Sequence, residues 1–249
     1  MNDENPKVPV DTLYQSSKRE LHPFRFNQEV VEVFPNMITR SVPGYHTIID
    51  GIGRMSQKCL ENNAKVYDLG CSLGAVSLSI AKYNQGKKIN ITAIDNSQAM
   101  VERCAMNVSA YNYDSAILVK QGDINDIVLQ PCHMIVINFT LQFINPEQRQ
   151  AMLDKAYQAL GSGGMLVVSE KISSQNADMD ALLIDLHHDF KRENGYTDLE
   201  ISQKRSALEH VMITDTPETH QSRMLKAGFA SASIWFQHYN FVSFCALKG

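Results

Sequence analysis

Val66-Tyr67-Asp68-Leu69-Gly70-Cys71-Ser72-Leu73-Gly74 is the stretch of this 249-residue chain that decides its fold. Its first half is apolar enough to be a buried strand. Gly70 and Gly74 then form a turn, before an apolar pattern with helical spacing begins. A strand, a glycine turn and a helix in succession place a helix N-terminus and backbone N–H groups at the carboxyl edge of a parallel sheet. The stretch therefore predicts a ligand site where the first strand ends.

The same alternation of strand and helix continues along the chain. Further strands are predicted in NITAIDNS, AILVKQGD, HMIVINF, GMLVVSEK, ASIWFQHYNF and SFCALK, and two helices precede the first strand. Short apolar strands alternating with helices are typical of a parallel sheet covered on both faces. The predicted fold class is α/β: a doubly wound, mostly parallel seven-stranded sheet with an antiparallel C-terminal strand, the last two strands forming a hairpin at one edge.

One domain is predicted over residues 26–249. Residues 1–25 mix Pro, Asn, Asp and Ser without periodicity and are expected to form a disordered tail. A polar helical region at about 178–212 departs from the alternation, so residues 172–213 are interpreted as a helical insertion. After it, Gly228 is suited to end a helix in the left-handed conformation.

Composition excludes several classes of function. With 23 basic and 27 acidic residues the net charge is -4, which gives no overall attraction to nucleic acid. The five cysteines are scattered and never spaced as C-x-x-C, so neither a disulfide framework nor a zinc site is expected. His187 and His188 point about 100° apart on a helix and lack a third ligand at metal spacing. Without a long apolar segment, the chain is expected to be cytoplasmic, with no metal.

The glycine turn admits three ligand chemistries. A dinucleotide turn, G-x-G-x-x-G/A, fits only if Ser72 replaces the middle glycine. Gly70-x-Ser72-x-Gly74 also matches the G-x-S-x-G elbow of α/β-hydrolases, but no oxyanion segment precedes it. The third chemistry is S-adenosylmethionine (SAM), whose class I turn resembles Asp/Glu-x-Gly-x-Gly-x-Gly. Asp68 favours this third interpretation, because it supplies the acidic residue that opens the pattern.

Polar residues end three later strands in order. Asp95 and Asn96 follow the second strand, where a carboxylate can accept hydrogen bonds from both ribose hydroxyls of a nucleoside. Asp123 can accept from an adenine amino group while Ile124 packs on the ring, and Asn138 ends the fourth strand. Any one of these could merely cap a turn. Together they predict nucleoside recognition along one edge of the sheet.

Longer segments resemble one family, the carboxy-S-adenosyl-L-methionine synthases. The similarity extends from about Phe26 to Lys248, with divergence at Asn36 and in the regions 172–180 and 238–240. The segments that carry it are VFP, MI, RSVPGY, VYDLGCSLGA, AIDNS, NFTLQF, LVVSEK, HHDFKRENGY, LEISQKR and WFQ. Such a set is far more specific than the glycine turn alone.

This resemblance implies a homodimeric enzyme that converts SAM and prephenate to carboxy-SAM and phenylpyruvate. Its product supplies a partner enzyme that carboxymethylates wobble uridine in tRNA. Arg205 would hold the new carboxyl group in two parallel hydrogen bonds, and Tyr45 would donate to the same group. By position, the residues expected to contact the ligand are Tyr45, Gly70, Cys71, Ser72, Asp95, Asn96, Asp123, Ile124, Asn138 and Arg205.

Two other functions remain open on the residues alone. An ordinary SAM-dependent methyltransferase acting on a small molecule or tRNA would use the same turn, and a non-catalytic nucleoside-binding protein would need no further groups. Without the resemblance, Arg205 beside Lys204 would be interpreted as a solvated helix residue.

Overall fold

The computed structural model describes residues 9–16 and 23–249, which contain eight α-helices and seven β-strands. The strands are β1 (Lys65–Leu69), β2 (Asn90–Asp95), β3 (Ala116–Gln121), β4 (Cys132–Asn138), β5 (Leu160–Lys171), β6 (Ala232–His238) and β7 (Phe241–Leu247). The helices are α1 (Gln28–Ser41), α2 (Tyr45–Cys59), α3 (Ala75–Tyr83), α4 (Gln98–Ser109), α5 (Pro146–Ala159), α6 (Ala177–Glu193), α7 (Asp198–Leu208) and α8 (Pro217–Ala227).

The strands form one sheet in the order β3-β2-β1-β4-β5-β7-β6. The five strands β1 to β5 are all parallel to one another, whereas β7 runs antiparallel to both of its neighbours, β5 and β6. The predicted fold class and the hairpin at the sheet edge are therefore confirmed. The strand order reverses between β1 and β4, and ligands of open α/β sheets bind outside the carboxyl ends of the strands at such a point.

Helices cover both faces of the sheet, as the apolar strands predict. In β4, consecutive residues from Met134 to Ile137 are all fully buried, so neither face of this strand meets solvent. Ile135 and Ile137 belong to the core on the α5 and α8 side, while Met134 and Val136 belong to the core under α2 and α3. This double covering fixes the strand ends, because both layers hold the sheet in register.

The helical region after β5 contains two helices, α6 and α7. Gly195 lies between them with a φ of +85°, a conformation that disfavours other residues. Helix α7 then begins with a capping box, in which Thr197 and Glu200 satisfy each other's backbone N–H groups. Gly228 ends α8 in the left-handed conformation, with φ +118°, as the sequence predicts. No helix in the described ranges is both long and apolar enough for a bilayer span.

Residues 9–16 pack against α7, which differs from the tail predicted for residues 1–25. Asp11 is only 2% exposed, and its carboxylate accepts a hydrogen bond from the Tyr196 hydroxyl. Gln203 donates to the backbone oxygens of Tyr14 and Ser16. Leu13 and Tyr14 also pack against the core beside α1, but two residues are too few to give an apolar period in the sequence. The rest of the predicted tail at residues 1–8 and 17–22 lies outside the described residues.

Candidate functional site

A cavity of about 790 Å³ opens at the carboxyl edge of the sheet, beside the ends of β1 and β4. It collects every residue that the sequence singled out for ligand contact, from the two helices before the sheet to the inserted helix α7. These lining residues are Tyr45, Gly70, Cys71, Ser72, Asp95, Asn96, Asp123, Ile124, Asn138 and Arg205. The structure therefore places them around one volume, large enough for a nucleoside and a second small molecule.

The glycine turn makes a different contribution from the one predicted. Gly70 has φ +80°, and a Cβ there would lie 2.1 Å from Thr140 Oγ1. The N–H groups of Gly70 and Cys71 both donate to the Ile94 carbonyl, at 2.8 and 2.9 Å. Both amides are therefore paired with β2 and are not free to donate to a ligand. The glycine at position 70 instead allows close packing, because without a Cβ the backbone of the turn can lie against the Thr140 side chain.

Asp95 is held in place by two backbone donors. Ser72, with φ +50°, donates its N–H to Asp95 Oδ2 at 2.9 Å, and Ser97 donates its N–H to Oδ1 at 2.9 Å. Burial raises the pKa of Asp95, and these backbone hydrogen bonds oppose the rise. Each carboxylate oxygen keeps a lone pair for another donor. Asp95 is thus an oriented acceptor at the cavity edge, suited to a pair of vicinal hydroxyls.

Two buried acceptors at the cavity lack a partner in the described part of the chain. Asp68 Oδ2 accepts from the N–H and hydroxyl of Ser77, but its Oδ1 accepts nothing. Asn138 Oδ1 is equally unsatisfied, at the end of the adjacent strand. Burial raises the pKa of Asp68 to about 6. Unpaired buried acceptors are uncommon and costly, so this part of the cavity suits a ligand that carries donors or positive charge.

Asp123 caps a turn and, together with Ile124, also lines the cavity. Asp123 Oδ1 accepts from the backbone N–H of Asn125 at 2.8 Å and from its side-chain amide at 3.0 Å, so the residue caps a turn. Its side chain is nevertheless exposed to the cavity, and its Oδ2 is available to a ligand donor. Ile124 is 6% exposed and presents an apolar wall beside it.

Cations line the opposite part of the cavity, and sequence reasoning identified only one of them. Arg205 is exposed on α7 and has neither a hydrogen bond nor an ion pair among the described residues. Lys171, Lys191 and Lys204 line the same cavity and were missed. Lys171 carried a usable signal, because it ends β5 as Asp95 ends β2. Lys191 and Lys204 carried none, since lysines on a polar helix are usually solvated.

Lys191 is buried and Lys171 half-buried, and neither has a counter-charge in contact among the residues described. Burial, followed by the charges of Lys204, Lys171 and Arg205, lowers the pKa of Lys191 to about 7. Burial also lowers the pKa of Lys171 to about 8; Arg205 adds to this effect and Asp180 opposes it. Neither ammonium has a hydrogen-bond or ion-pair partner within the described ranges. Their mutual effects place these cations close together.

Lys204 differs from these two lysines because it has partners. Its ammonium lies 3.0 Å from Ser41 Oγ and 3.7 Å from Asp11 Oδ2. Burial lowers its pKa to about 8, against the stabilising effect of Asp11. His187 Nε2 lies 2.8 Å from the carbonyl oxygen of the same Ser41, and burial lowers the pKa of His187 to about 2. His187 is therefore neutral at physiological pH.

A row of rings connects the nucleoside-facing part of the cavity with the cations. Ring centroids are 6.4 Å apart for Tyr45 and Phe139, 6.0 Å for Phe139 and Phe241, and 4.8 Å for Phe241 and His187. Burial, with a smaller effect of Asp68, raises the pKa of Tyr45 far above its usual range. Tyr45 is thus a permanent hydroxyl donor. Among the described residues, no group of three or more His, Cys, Asp or Glu side chains is arranged to hold a metal ion.

Comparison with known proteins identifies a domain family and a more specific enzyme family. Residues 66–164 match the family of methyltransferase domains. Carboxy-S-adenosyl-L-methionine synthases from Salmonella paratyphi C and Salmonella choleraesuis are each 52% identical to this chain over 238 residues, 96% of either sequence. The chain belongs to the carboxy-S-adenosyl-L-methionine synthase family. The resemblance predicted from the sequence segments is thereby confirmed, and it covers the insertion as well as the methyltransferase domain.

Solved structures show the same fold at low identity. Human N-acetylserotonin methyltransferase in complex with SAM aligns with a TM-score of 0.59 and 16% identity, over 89% of this chain and 55% of its own. A SAM-dependent methyltransferase from Methanosarcina mazei aligns with a TM-score of 0.57 and 13% identity, over 78% of this chain and 96% of its own. The fold is thus that of SAM-dependent methyltransferases.

The hydrolase interpretation of Gly70-x-Ser72-x-Gly74 does not agree with the site. Ser72 Oγ lies 3.5 Å from Met100 Sδ, not beside a histidine, and Ser72 N–H is bound to Asp95. A nucleophilic serine needs a base within hydrogen-bond reach. Among the described residues, Ser72 therefore lacks the neighbouring base that the hydrolase interpretation requires.

Proposed function

We propose that this enzyme converts SAM and prephenate to carboxy-SAM and phenylpyruvate. One observation carries the proposal beyond family membership: a single cavity joins carboxylates on its nucleoside side to unpaired cations on the other. Asp68, Asp95 and Asp123 suit the donors and positive charge of SAM. An anionic second substrate suits the cations Arg205, Lys171 and Lys191. The acceptor of an ordinary methyltransferase does not need to be an anion.

The residues present fit SAM in its expected orientation. Asp95 would accept the ribose hydroxyls, and Asp123 with Ile124 would hold the adenine. The unsatisfied oxygens of Asp68 and Asn138 line the same cavity, where they would accept from the amino-acid end of SAM and favour its positive charge. The sulfonium methyl would then face the part of the cavity that contains Arg205 and Tyr45.

The proposed reaction balances without an external base or oxidant. Prephenate loses its ring carboxylate as carbon dioxide and its ring hydroxyl as hydroxide, and the ring becomes aromatic. Hydroxide removes a proton from the sulfonium methyl to give water and an ylide carbon. The ylide forms a carbon–carbon bond to the carbon dioxide, and phenylpyruvate departs. The chain's part is to hold both reactants in near-attack geometry.

Arg205 and Tyr45 would secure the carboxyl group in this sequence. A guanidinium can bind a carboxylate by two parallel hydrogen bonds, and Arg205 has no competing partner among the described residues. Tyr45 remains protonated because its pKa is raised, so it can donate throughout the reaction. The rings of Phe139 and Phe241 would limit the entry of water that could protonate the ylide.

The decisive experiment incubates purified enzyme with SAM, with and without prephenate, and measures product masses. We expect carboxy-SAM and phenylpyruvate only in the sample with prephenate. Accumulation of S-adenosylhomocysteine with a methyl acceptor would instead favour an ordinary methyltransferase, which the methyltransferase-domain match makes the second candidate. No turnover with retained SAM binding would indicate a nucleoside-binding protein.

Matched variants test the assigned roles within that assay. Arg205→Met should abolish carboxylation while the Kd for SAM changes less than about threefold, because the lost contact lies on the second substrate. Tyr45→Phe should lower kcat by about tenfold or more, the effect of one lost donor to a charged group. Arg103→Met, on α4 and outside the cavity, is the control and should leave both quantities unchanged. Equal loss of SAM binding and carboxylation in Arg205→Met would refute its role.

Three further parts of the proposal rest on the family resemblance. The enzyme would act as a homodimer in the cytoplasm, and its product would supply a tRNA carboxymethyltransferase that modifies wobble uridine. The net charge of -4 agrees with an enzyme that does not itself bind tRNA. Analytical ultracentrifugation would test the dimer, and tRNA analysis of a deletion strain would test the link to wobble uridine.

A further inference from the structure

Lys171 and Lys191 are placed where structure alone gives them no stabilising role. Lys191 is 8% exposed, and neither lysine contacts a carboxylate or a hydrogen-bond acceptor within the described residues. A buried ammonium without a partner destabilises a folded chain, and such groups usually serve a ligand or a reaction. Lys204 gives the internal comparison, because it has Ser41 and Asp11 as partners and so has a structural explanation.

We propose that Lys171 and Lys191 form a second anion subsite, which holds the carboxylate of prephenate that is not transferred. This inference rests on the proposed function and assigns residues to its second substrate. Arg205, on α7, would then hold the carboxylate that is transferred. Lys171 ends β5 and Lys191 lies on α6, so the subsite is built from elements other than the one that carries Arg205.

The chemistry of the substrate requires two separate carboxylate-binding groups. Prephenate carries a ring carboxylate, which leaves as carbon dioxide, and a pyruvyl carboxylate, which remains in phenylpyruvate. A group that binds only the first cannot hold the substrate once the carbon–carbon bond breaks. A subsite for the second keeps the remainder of the molecule in place while the carbon dioxide reaches the ylide carbon. Positioning of this kind is the main catalytic resource of a site that supplies no base.

The row of rings leads to the proposed second subsite. It extends from Tyr45, on the side of SAM, through Phe139 and Phe241 to His187. His187 lies one turn before Lys191 on α6, so both residues face the same region. Both carboxylates of prephenate are attached through the same ring carbon, so the two anion subsites must be neighbours. Lys171, Lys191 and Arg205 line one cavity, and Arg205 lowers the pKa of both lysines, as neighbouring subsites require.

Phenylpyruvate is the probe that separates the two anion subsites, because it retains the pyruvyl carboxylate and lacks the ring carboxylate. Its binding to SAM-loaded enzyme is measured by calorimetry for wild type, Lys171→Met, Lys191→Met and Arg205→Met. Phenylacetone, which has the same ring without a carboxylate, is the ligand control. Lys226→Met, exposed at the end of α8, is the protein control.

We expect each lysine variant to weaken phenylpyruvate binding by about tenfold or more, and to raise the KM for prephenate to a similar extent. The Kd for SAM should stay within about twofold in both. Arg205→Met should keep phenylpyruvate affinity although it loses carboxylation, and Lys191→Arg should restore part of the affinity that Lys191→Met loses. Phenylacetone should bind all proteins equally weakly.

Two results would overturn the assignment while leaving the proposed function intact. In the first, carboxy-SAM forms and phenylpyruvate binds both lysine variants as tightly as wild type. In the second, Lys191→Met lowers kcat with an unchanged KM for prephenate, which would make the lysine a proton-transfer group instead of an anion ligand. If wild type forms no carboxy-SAM, the proposed function itself fails, so the two failures are distinguishable. Melting temperatures and SAM affinity confirm that each variant is folded.

Discussion

The backbone N–H of Ser72 donates to Asp95 Oδ2 at 2.9 Å, and this bond ties the glycine turn to the end of β2. Asp95→Asn keeps the shape of the side chain but replaces an acceptor by a donor that cannot pair with the Ser72 or Ser97 N–H. We expect the Kd for SAM to rise about 10- to 100-fold, the effect of lost hydrogen bonds to a charged group. Calorimetry measures it, with the exposed Asp126→Asn as control. A change below about twofold would exclude Asp95 from ribose binding.

Gly70→Ala should unfold the site for two separable reasons. Its φ is +80°, and its new Cβ would lie 2.1 Å from Thr140 Oγ1. Gly86 has nearly the same φ, +84°, but a Cβ there meets nothing within 4 Å. Gly86→Ala therefore reports the conformational strain alone, on the order of 1 kcal/mol. Denaturant unfolding should show a greater loss of stability for Gly70→Ala, and equal losses would mean that the approach of Thr140 has no effect.

Binding of the dianionic substrate should take up protons near neutral pH. The pKa of Lys191 is lowered to about 7 and that of Lys171 to about 8, so both are partly neutral in the free enzyme at pH 8. A bound carboxylate raises both pKa values, which draws protons from solution. The KM for prephenate should consequently rise between pH 6.5 and 8.5.

Other groups that face these lysines also contribute to the local charge. They are Asp180, His187 and His188 on α6, and Lys204 and Arg205 on α7. Calorimetry in buffers of different ionisation enthalpy counts the protons, and Lys191→Met should lower the count at pH 8. An unchanged count in that variant would assign the uptake to one of the other groups.

Lys191→Met should be more stable than wild type in the absence of ligand. The folded pKa of Lys191, about 7, lies below its ordinary value of 10.5, so the unfolded chain binds more protons between these values. Wild-type stability due to this group therefore rises with pH across that window, and its full penalty is present below pH 7. The advantage of Lys191→Met should be largest at pH 6, at a few kcal/mol, and should shrink by pH 9. A variant that is less stable at pH 6 would mean that the lysine has a structural partner.

Asp11→Asn should loosen the helix that carries Arg205. Asp11 accepts from the Tyr196 hydroxyl and lies 3.7 Å from the Lys204 ammonium. Loss of its charge leaves Lys204 buried with less compensation, at a cost of about 1–3 kcal/mol in the free energy of unfolding. Carboxylation should fall through a higher KM for prephenate, with Glu32→Gln on the surface of α1 as control. Unchanged stability would show that residues 9–16 do not brace α7.

The sheet was predictable because its strands are short, apolar and separated by strong turn signals. The strand-end rule also brought Asp95, Asp123 and Asn138 to one edge, since parallel strands share their carboxyl ends. Helical spacing likewise gave the two helices before β1. These predictions needed only local patterns, and the structure places every one of these residues at the cavity.

Local sequence patterns could not predict the cationic part of the site. Lys191 looks like any solvated lysine in a polar helix, and its burial depends on how α6 packs on α1, which is a contact distant in sequence. The same applies to Asp11, whose partner Tyr196 is 185 positions away. The pairing of the Gly70 and Cys71 amides was likewise hidden in the sequence, because their acceptor, the Ile94 carbonyl, belongs to another strand. Pairings of this kind are fixed by tertiary structure, not by local sequence.

The two halves of the cavity come from separate lengths of chain. Every carboxylate on the nucleoside side precedes residue 124, whereas the unpaired cations all fall between Lys171 and Arg205. The proposed function therefore divides along the chain: residues up to 124 would bind SAM, and residues 171–205 would bind the dianionic substrate. We expect that exchanging residues 171–205 for the corresponding piece of a methyltransferase leaves SAM binding intact and removes turnover of prephenate.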